Sequence, residues 1–161
     1  MIQKGWRPGL VGEIVRAHAI YYARDWNFPR YFEAKVAREM GEFLARTSDR
    51  DVLFSAEADD AFQGSLTIDG SDPTLPPNQA HLRWFITTDA ARGQGTGRHL
   101  MAAALEFLHE QQFASCYLTT FAGLDAARRL YDSAGFVLTE QVEAESWGTR
   151  VTEQTFLLTL R

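Results

Sequence analysis

The chain has 161 residues, of which 45% are hydrophobic and 23% charged, and its formal net charge is −5 at pH 7. This composition is typical of a soluble globular protein, and the length suits one domain spanning residues 1–161. The acidic balance argues against nucleic acid or an anionic membrane as the main partner. The single cysteine, Cys116, excludes an internal disulfide and a cysteine-based metal cluster.

Two helices are predicted first along the chain. Apolar residues recur at helical spacing from Leu10 to about Trp26, and again from about Arg30 to Arg46. Pro29 separates the two runs, because the residue before a proline is disfavoured in a helix. No signal peptide and no apolar run of membrane-spanning length stands out, so we expect a cytoplasmic protein.

The rest of the chain alternates between strand and helix patterns. In order, it predicts a β-hairpin over 51–70, a strand over 80–87, a helix to about 112, a strand over 115–121, a helix over 124–134, and strands over 136–145 and 153–160. This order indicates a mixed α/β fold with one parallel strand–helix–strand crossover.

A glycine-rich loop opens directly onto the helix that follows the central strand. Gly93, Gly95 and Gly97 alternate there, with Arg92 and Arg98 beside them. Glycines allow positive φ and close approach to a ligand, and amides at a helix N-terminus favour an anion. The alternative is a tight turn in which the glycines only permit the bend. A nucleotide P-loop would need a lysine, and a dinucleotide fingerprint needs a different glycine spacing.

The run Arg92-Gly93-Gln94-Gly95-Thr96-Gly97 resembles the loop with which the GCN5-related N-acetyltransferase (GNAT) superfamily binds the pyrophosphate of acetyl-CoA. A second motif, "LYDSAGF", is similar to a later helix of that family. There a tyrosine, matched by Tyr131, lies beside the cofactor sulfur. The order of elements also matches, so the resemblance covers nearly the whole chain. It departs at Leu124, where many members carry an asparagine, and at Asp89, where a proline is frequent.

The resemblance implies an α/β fold with a central mixed, mostly antiparallel sheet and helices on both faces. It implies acetyl-CoA as the acyl donor and no metal. The stretch 7–37 looks like the acetyltransferase domains found fused to MarR-type regulators, although no nucleic-acid partner is expected here. A homodimer is a further expectation, since such folds often pair through their C-terminal strands.

The family pattern also implies which residues bind the cofactor. The pantetheine arm would pair with the edge of the central strand, and a backbone amide near Ile86 would polarise the thioester carbonyl. The cofactor-binding set is Phe85, Ile86, Thr87, Arg92, Gly93, Gln94, Gly95, Thr96, Gly97, Arg98, Ala127 and Tyr131. Tyr131 is also the candidate proton donor, because a phenol is protonated at neutral pH. The alternative is a tyrosine that only packs its ring.

The residues around the acceptor amine are less clearly marked. His18 and Tyr22 lie one turn apart on the first helix, and we expect both to contact the substrate, together with Arg83. His18 and Glu33 are the candidates for a catalytic proton acceptor. Each has a structural alternative: a core-edge histidine for His18, a solvated or capping carboxylate for Glu33, and a salt bridge for Arg83.

The function predicted from the sequence is acetyl transfer to the primary amine of a small molecule. Two alternatives remain at this point. The acceptor could be a protein lysine or N-terminus, or the chain could be a non-catalytic sensor that binds acyl-CoA. A purely structural subunit would not account for the glycine loop.

Overall fold

The structure is a computed structural model, and it describes residues 1–160. Its helices are α1 (Leu10–Trp26), α2 (Arg30–Ala45), α3 (Thr96–Glu110) and α4 (Asp125–Ala134). Its strands are β1 (Ile2–Lys4), β2 (Val52–Ala58), β3 (Ala61–Asp69), β4 (Gln79–Thr87), β5 (Ser115–Phe121), β6 (Val137–Ala144) and β7 (Val151–Thr159). Within this part of the chain, no helix combines the length and apolar character needed to cross a membrane.

The predicted order of elements is confirmed, with one addition. Strand β1 pairs antiparallel with β2, from Ile2 opposite Ala56 to Lys4 opposite Phe54. The sequence did not indicate this strand, because three residues are too few to show the period-two alternation of a strand.

The strands form one seven-stranded sheet in the order β1-β2-β3-β4-β5-β7-β6. All neighbours are antiparallel except β4 and β5. Helices α3 and α4 contribute to the core on one face, and α1 and α2 to the core on the other. The predicted mixed α/β class, with a mostly antiparallel sheet and helices on both faces, is confirmed.

The centre of the sheet opens between β4 and β5. The two strands pair only from Gln79 opposite Ser115 to His81 opposite Tyr117. On the other side of β4, Ser65 faces Ile86 but Thr67 faces Arg83, so β4 carries a bulge there. Trp84, within that bulge, has a φ of 49°. The C-terminal half of β4 therefore has no strand on its β5 side, and a gap lies between the two strands.

An ion-pair network centred on a buried carboxylate ties α2 to the sheet beside this gap. The Asp69 side chain is fully buried and lies 2.7 Å from Arg46 and 3.0 Å from Arg83. Arg83 also pairs with Glu39 at 3.0 Å, and Glu39 with Lys35 at 2.6 Å. Burial alone would raise the pKa of Asp69, but the two arginines together lower it below its usual range. The network is thus held together by charge at neutral pH.

Candidate active site

The glycine loop leaves several backbone amides unpaired at the N-terminus of α3. Gly93 and Gly95 have φ values of 76° and 78°, and Gly95 is the N-cap of α3. The amides of Gly93, Gly95, Thr96, Gly97 and Arg98 donate to no protein acceptor within residues 1–160. Unpaired amides at a helix N-terminus, reinforced by the helix dipole, form an anion-binding site.

A cavity of about 880 Å³ extends from this loop, and we call it the loop cavity. Its walls are the loop, the end of β4 and the exposed side of α4. Of the predicted cofactor-binding residues, those lining it are Phe85, Ile86, Thr87, Arg92, Gly93, Gly95, Thr96, Gly97, Arg98 and Ala127. Gln94 is not part of the wall: its amide donates to Ala91 O and its side chain to Ala90 O. Arg92 pairs with Asp89 at 3.3 Å.

A second cavity, of about 340 Å³, lies in the gap between β4 and β5 on the side of α1 and α2. We call it the aromatic cavity, because rings form much of its wall. They belong to Tyr22, Phe28, Phe32, Trp84, Phe85, Phe121, Tyr131 and Trp147. Tyr22, Phe85, Leu124 and Ala127 line both cavities, so the two spaces adjoin.

Tyr131 lies in the aromatic cavity, next to the wall that the two cavities share. Its ring is 6.1 Å from Phe85, 6.1 Å from Phe136 and 5.7 Å from Phe156. Its hydroxyl has no hydrogen-bond partner among residues 1–160, although the side chain is buried. Burial raises the pKa of Tyr131, so the phenol is protonated at neutral pH. A buried phenol with a free O–H next to a cavity can donate a proton to a ligand.

His18 lines the aromatic cavity from α1 and is buried. Its Nδ1 donates to the carbonyl oxygen of Ile14 at 2.8 Å, which leaves Nε2 as an acceptor. Burial lowers the pKa of His18 to about 4, so the ring is neutral at pH 7. The hydrogen bond to Ile14 is the structural alternative that the sequence allowed, and it orients a neutral ring at the wall of the cavity.

The other predicted acceptor-site residues differ in their position relative to the two cavities. Tyr22 lines both cavities, and burial raises its pKa. Arg83 lines the aromatic cavity, but its guanidinium is already paired with Glu39 and Asp69. Glu33 is exposed and lines neither cavity, because its position on α2 faces away from the buried stripe that begins at Phe32. The structure therefore does not bring Glu33 to the site.

Sequence reasoning missed two carboxylates of the aromatic cavity, Glu39 and Glu153. Glu39 follows buried Phe32 by seven residues and Val36 by three, so helical spacing could have found it. Glu153 and the nearby Trp147 come from the end of the chain, and no local pattern connects them to α1 or α2. Within residues 1–160 no group of histidine, cysteine, aspartate or glutamate side chains is arranged to hold a metal ion.

Comparison with known proteins identifies the family. The model of the acetyltransferase (GNAT) family matches residues 17–136. Similar solved structures include a ribosomal-protein-alanine N-acetyltransferase from Brucella melitensis, with a TM-score of 0.80, 16% identity and 99% of both chains covered. A GCN5-related N-acetyltransferase from Kribbella flavida has a TM-score of 0.77 and 17% identity, with 99% of this chain and 98% of that chain covered.

A candidate acetyltransferase from Salmonella typhimurium, solved with its cofactor acetyl-CoA, has a TM-score of 0.79 and 15% identity. The match covers 100% of this chain and 94% of that chain. No curated protein matches the sequence significantly. At these identities the structural matches establish a shared fold.

Proposed function

The chain belongs to the acetyltransferase (GNAT) family, and we propose that it transfers the acetyl group of acetyl-CoA to the primary amine of a small molecule. The observation that carries the proposal is the set of five unpaired amides between Gly93 and Arg98, which open onto the loop cavity. The loop cavity meets the aromatic cavity at a shared wall. Two adjoining cavities suit a reaction that joins two substrates.

The loop cavity fits an acetyl-CoA molecule in three respects. The unpaired amides, with Arg92 and Arg98 beside them, would bind the pyrophosphate. The open edge of β4 from Phe85 to Thr87 offers backbone groups with which the pantetheine arm can pair as an added strand. A backbone amide near Ile86 would then polarise the thioester carbonyl, a type of interaction worth about 3 kcal/mol in other enzymes.

Tyr131 would act as the general acid. In the transfer, the amine nitrogen forms a bond to the carbonyl carbon while the bond from that carbon to sulfur breaks. The phenol of Tyr131 gives its proton to the departing sulfur, and the proton lost by the amine restores the phenol through water. The free hydroxyl of Tyr131 supports this role. Its raised pKa keeps the phenol protonated at neutral pH and also makes it a weaker acid.

His18 would orient the acceptor rather than hold its proton. A ring with a pKa of about 4 accepts a hydrogen bond at Nε2 but is a weak base at neutral pH. We therefore propose that His18 and Tyr22 contact the acceptor, and that the amine enters the reaction in its neutral form.

Isothermal titration with acetyl-CoA tests the proposal. We expect low-micromolar binding to the wild type and none to Gly95→Glu, because a carboxylate beside the loop amides repels the pyrophosphate. The matched control is Gly12→Glu, which adds the same charge on exposed α1, where an added Cβ meets no atom within 4 Å. Thermal unfolding checks that both variants fold. Failure of the wild type to bind would refute the proposal.

Two other functions of the same fold would give different results in binding and turnover assays. A non-catalytic sensor would bind acetyl-CoA without turnover, and the free Tyr131 hydroxyl is an argument against it, since a sensor needs no proton donor. A protein lysine or N-terminal acetyltransferase would acetylate peptides in preference to free amines. The cytoplasmic location, the homodimer and the similarity to MarR-fused domains stay predictions.

A further inference from the structure

Aromatic rings form much of the wall of the aromatic cavity, and the charged residues of the wall are Lys35, Glu39, Arg83 and Glu153. Phe121 is central to it, with its ring centroid 5.9 Å from Tyr22, 5.3 Å from Phe28 and 5.8 Å from Trp147. The volume of about 340 Å³ is at the lower end of the range of about 300–1,000 Å³ found for small-molecule sites. Aromatic walls around a small volume favour a flat, apolar group over a long or strongly polar one.

One uncompensated negative charge faces this cavity. Glu39 is paired with both Lys35 and Arg83. Glu153 instead accepts two hydrogen bonds of 2.8 Å, from the backbone N–H and the hydroxyl of Ser146. It has no cationic partner in the described part of the chain. The Ser146 hydrogen bonds hold the Glu153 carboxylate in place without cancelling its charge.

The two histidines of the cavity add no positive charge at neutral pH. Burial lowers the pKa of His18 to about 4, and burial with nearby Arg83 lowers that of His81 to about 3. A carboxylate among aromatic rings, with neutral imidazoles nearby, attracts an ammonium group and can stabilise it by cation–π contact as well.

The turn between β6 and β7 lines one side of the cavity. It carries Ser146 and Trp147, and Gly148 lies against the start of α2, where an added Cβ would be 2.9 Å from both Pro29 and Tyr31. The cavity is thus bounded by the sheet, α1, α2 and this turn. Its volume is that of a small-molecule site.

Building on the proposed function, we infer that the acceptor is a small primary amine with a flat apolar body, of the arylalkylamine type. The body packs among Phe121, Trp147 and Tyr22, and the Glu153 carboxylate draws the cationic amine into the cavity, where the amine loses a proton to water and then reacts in its neutral form. Glu153 is a substrate-positioning residue in this scheme and takes no part in acid catalysis.

A panel of acceptors tests this inference. Purified protein with acetyl-CoA is assayed for CoA release with 2-phenylethylamine, spermidine, free L-alanine and a peptide that begins with alanine. We expect kcat/KM for 2-phenylethylamine to exceed the other three by about tenfold or more. A preference for any of the other three acceptors, or no turnover of 2-phenylethylamine, overturns the inference. Binding of acetyl-CoA is measured separately, and its absence would instead refute the proposed function.

Two variants separate the role of Glu153 from a structural one. Glu153→Gln should raise KM for 2-phenylethylamine about tenfold, with acetyl-CoA affinity and melting temperature unchanged. The matched control is Glu140→Gln, since Glu140 is exposed on β6 and lines neither cavity. An equal rise in KM for both variants, or an unchanged KM for Glu153→Gln, would overturn the assignment.

Trp147→Leu, which removes a flat wall, should lower the preference for the aryl amine over spermidine.

Discussion

Replacement of Tyr131 by phenylalanine tests the centre of the proposed mechanism. The change removes one hydroxyl and keeps the ring that packs on Phe85, Phe136 and Phe156. The hydroxyl has no protein partner within residues 1–160, so its loss leaves no orphaned donor or acceptor. We therefore expect the free energy of unfolding to change by less than about 0.5 kcal/mol.

The effect on the rate should be much larger than the effect on stability. General acid catalysis contributes about 10²–10⁴-fold to a rate. A loss of about 100-fold corresponds to about 2.7 kcal/mol, because each tenfold change in rate is about 1.4 kcal/mol. Since the proton is given to sulfur only as the bond breaks, kcat and kcat/KM should fall together while KM stays constant.

The assay is CoA release at saturating acetyl-CoA with the best acceptor, followed for wild type, Tyr131→Phe and Tyr31→Phe. Tyr31 is half exposed and lines neither cavity, so its variant controls for the loss of a phenol. Chemical unfolding of each protein gives the stability difference. A rate loss below about fivefold for Tyr131→Phe, with the fold intact, would refute the general-acid role.

Three further predictions concern stability. Asp69→Asn should lower the free energy of unfolding by about 3 kcal/mol, because the buried partner of two arginines loses its charge. Urea titration at pH 7 measures this difference, and a loss below about 1 kcal/mol would contradict the prediction. The unfolded chain binds a proton at His18 near pH 6.5, but the folded protein binds it only near pH 4. Stability should therefore fall as pH drops from 6.5 towards 4, by about 3 kcal/mol for this residue, and His18→Gln should show a shallower fall over the same urea titrations. Gly123→Ala should lower the melting temperature, since Gly123 has a φ of 114° and a Cβ there would be 2.5 Å from the Trp26 ring. An unchanged melting temperature would contradict this prediction, because it would mean that the close contact relaxes freely.

Features that depend on near neighbours could be predicted from the sequence. The bounds of α1 and α2 followed from apolar spacing and from Pro29. The amide-rich turn before α3 followed from Gly93 and Gly95, because positive φ is a property that glycine supplies locally.

Features of the aromatic cavity depended on contacts between distant segments. Glu153 and Ser146 line the same cavity as residues of α2 only after β7 has paired with β5. The opening between β4 and β5 depends on a bulge at Trp84, where tertiary packing sustains a φ that the sequence pattern does not reveal. Glu33 shows the opposite case, a plausible carboxylate that the packing of α2 turned outward.

The sequence by itself determined the family-type loop, the helix that follows it and the tyrosine of the later motif. Each is encoded within a few residues by backbone conformation and helical spacing. Only the tertiary structure decided which charges face the acceptor and which side chains are neutral. Desolvation and ion pairing are sums over atoms from several segments, so the pKa of His18 and the unpaired charge of Glu153 exist only once those segments have packed together.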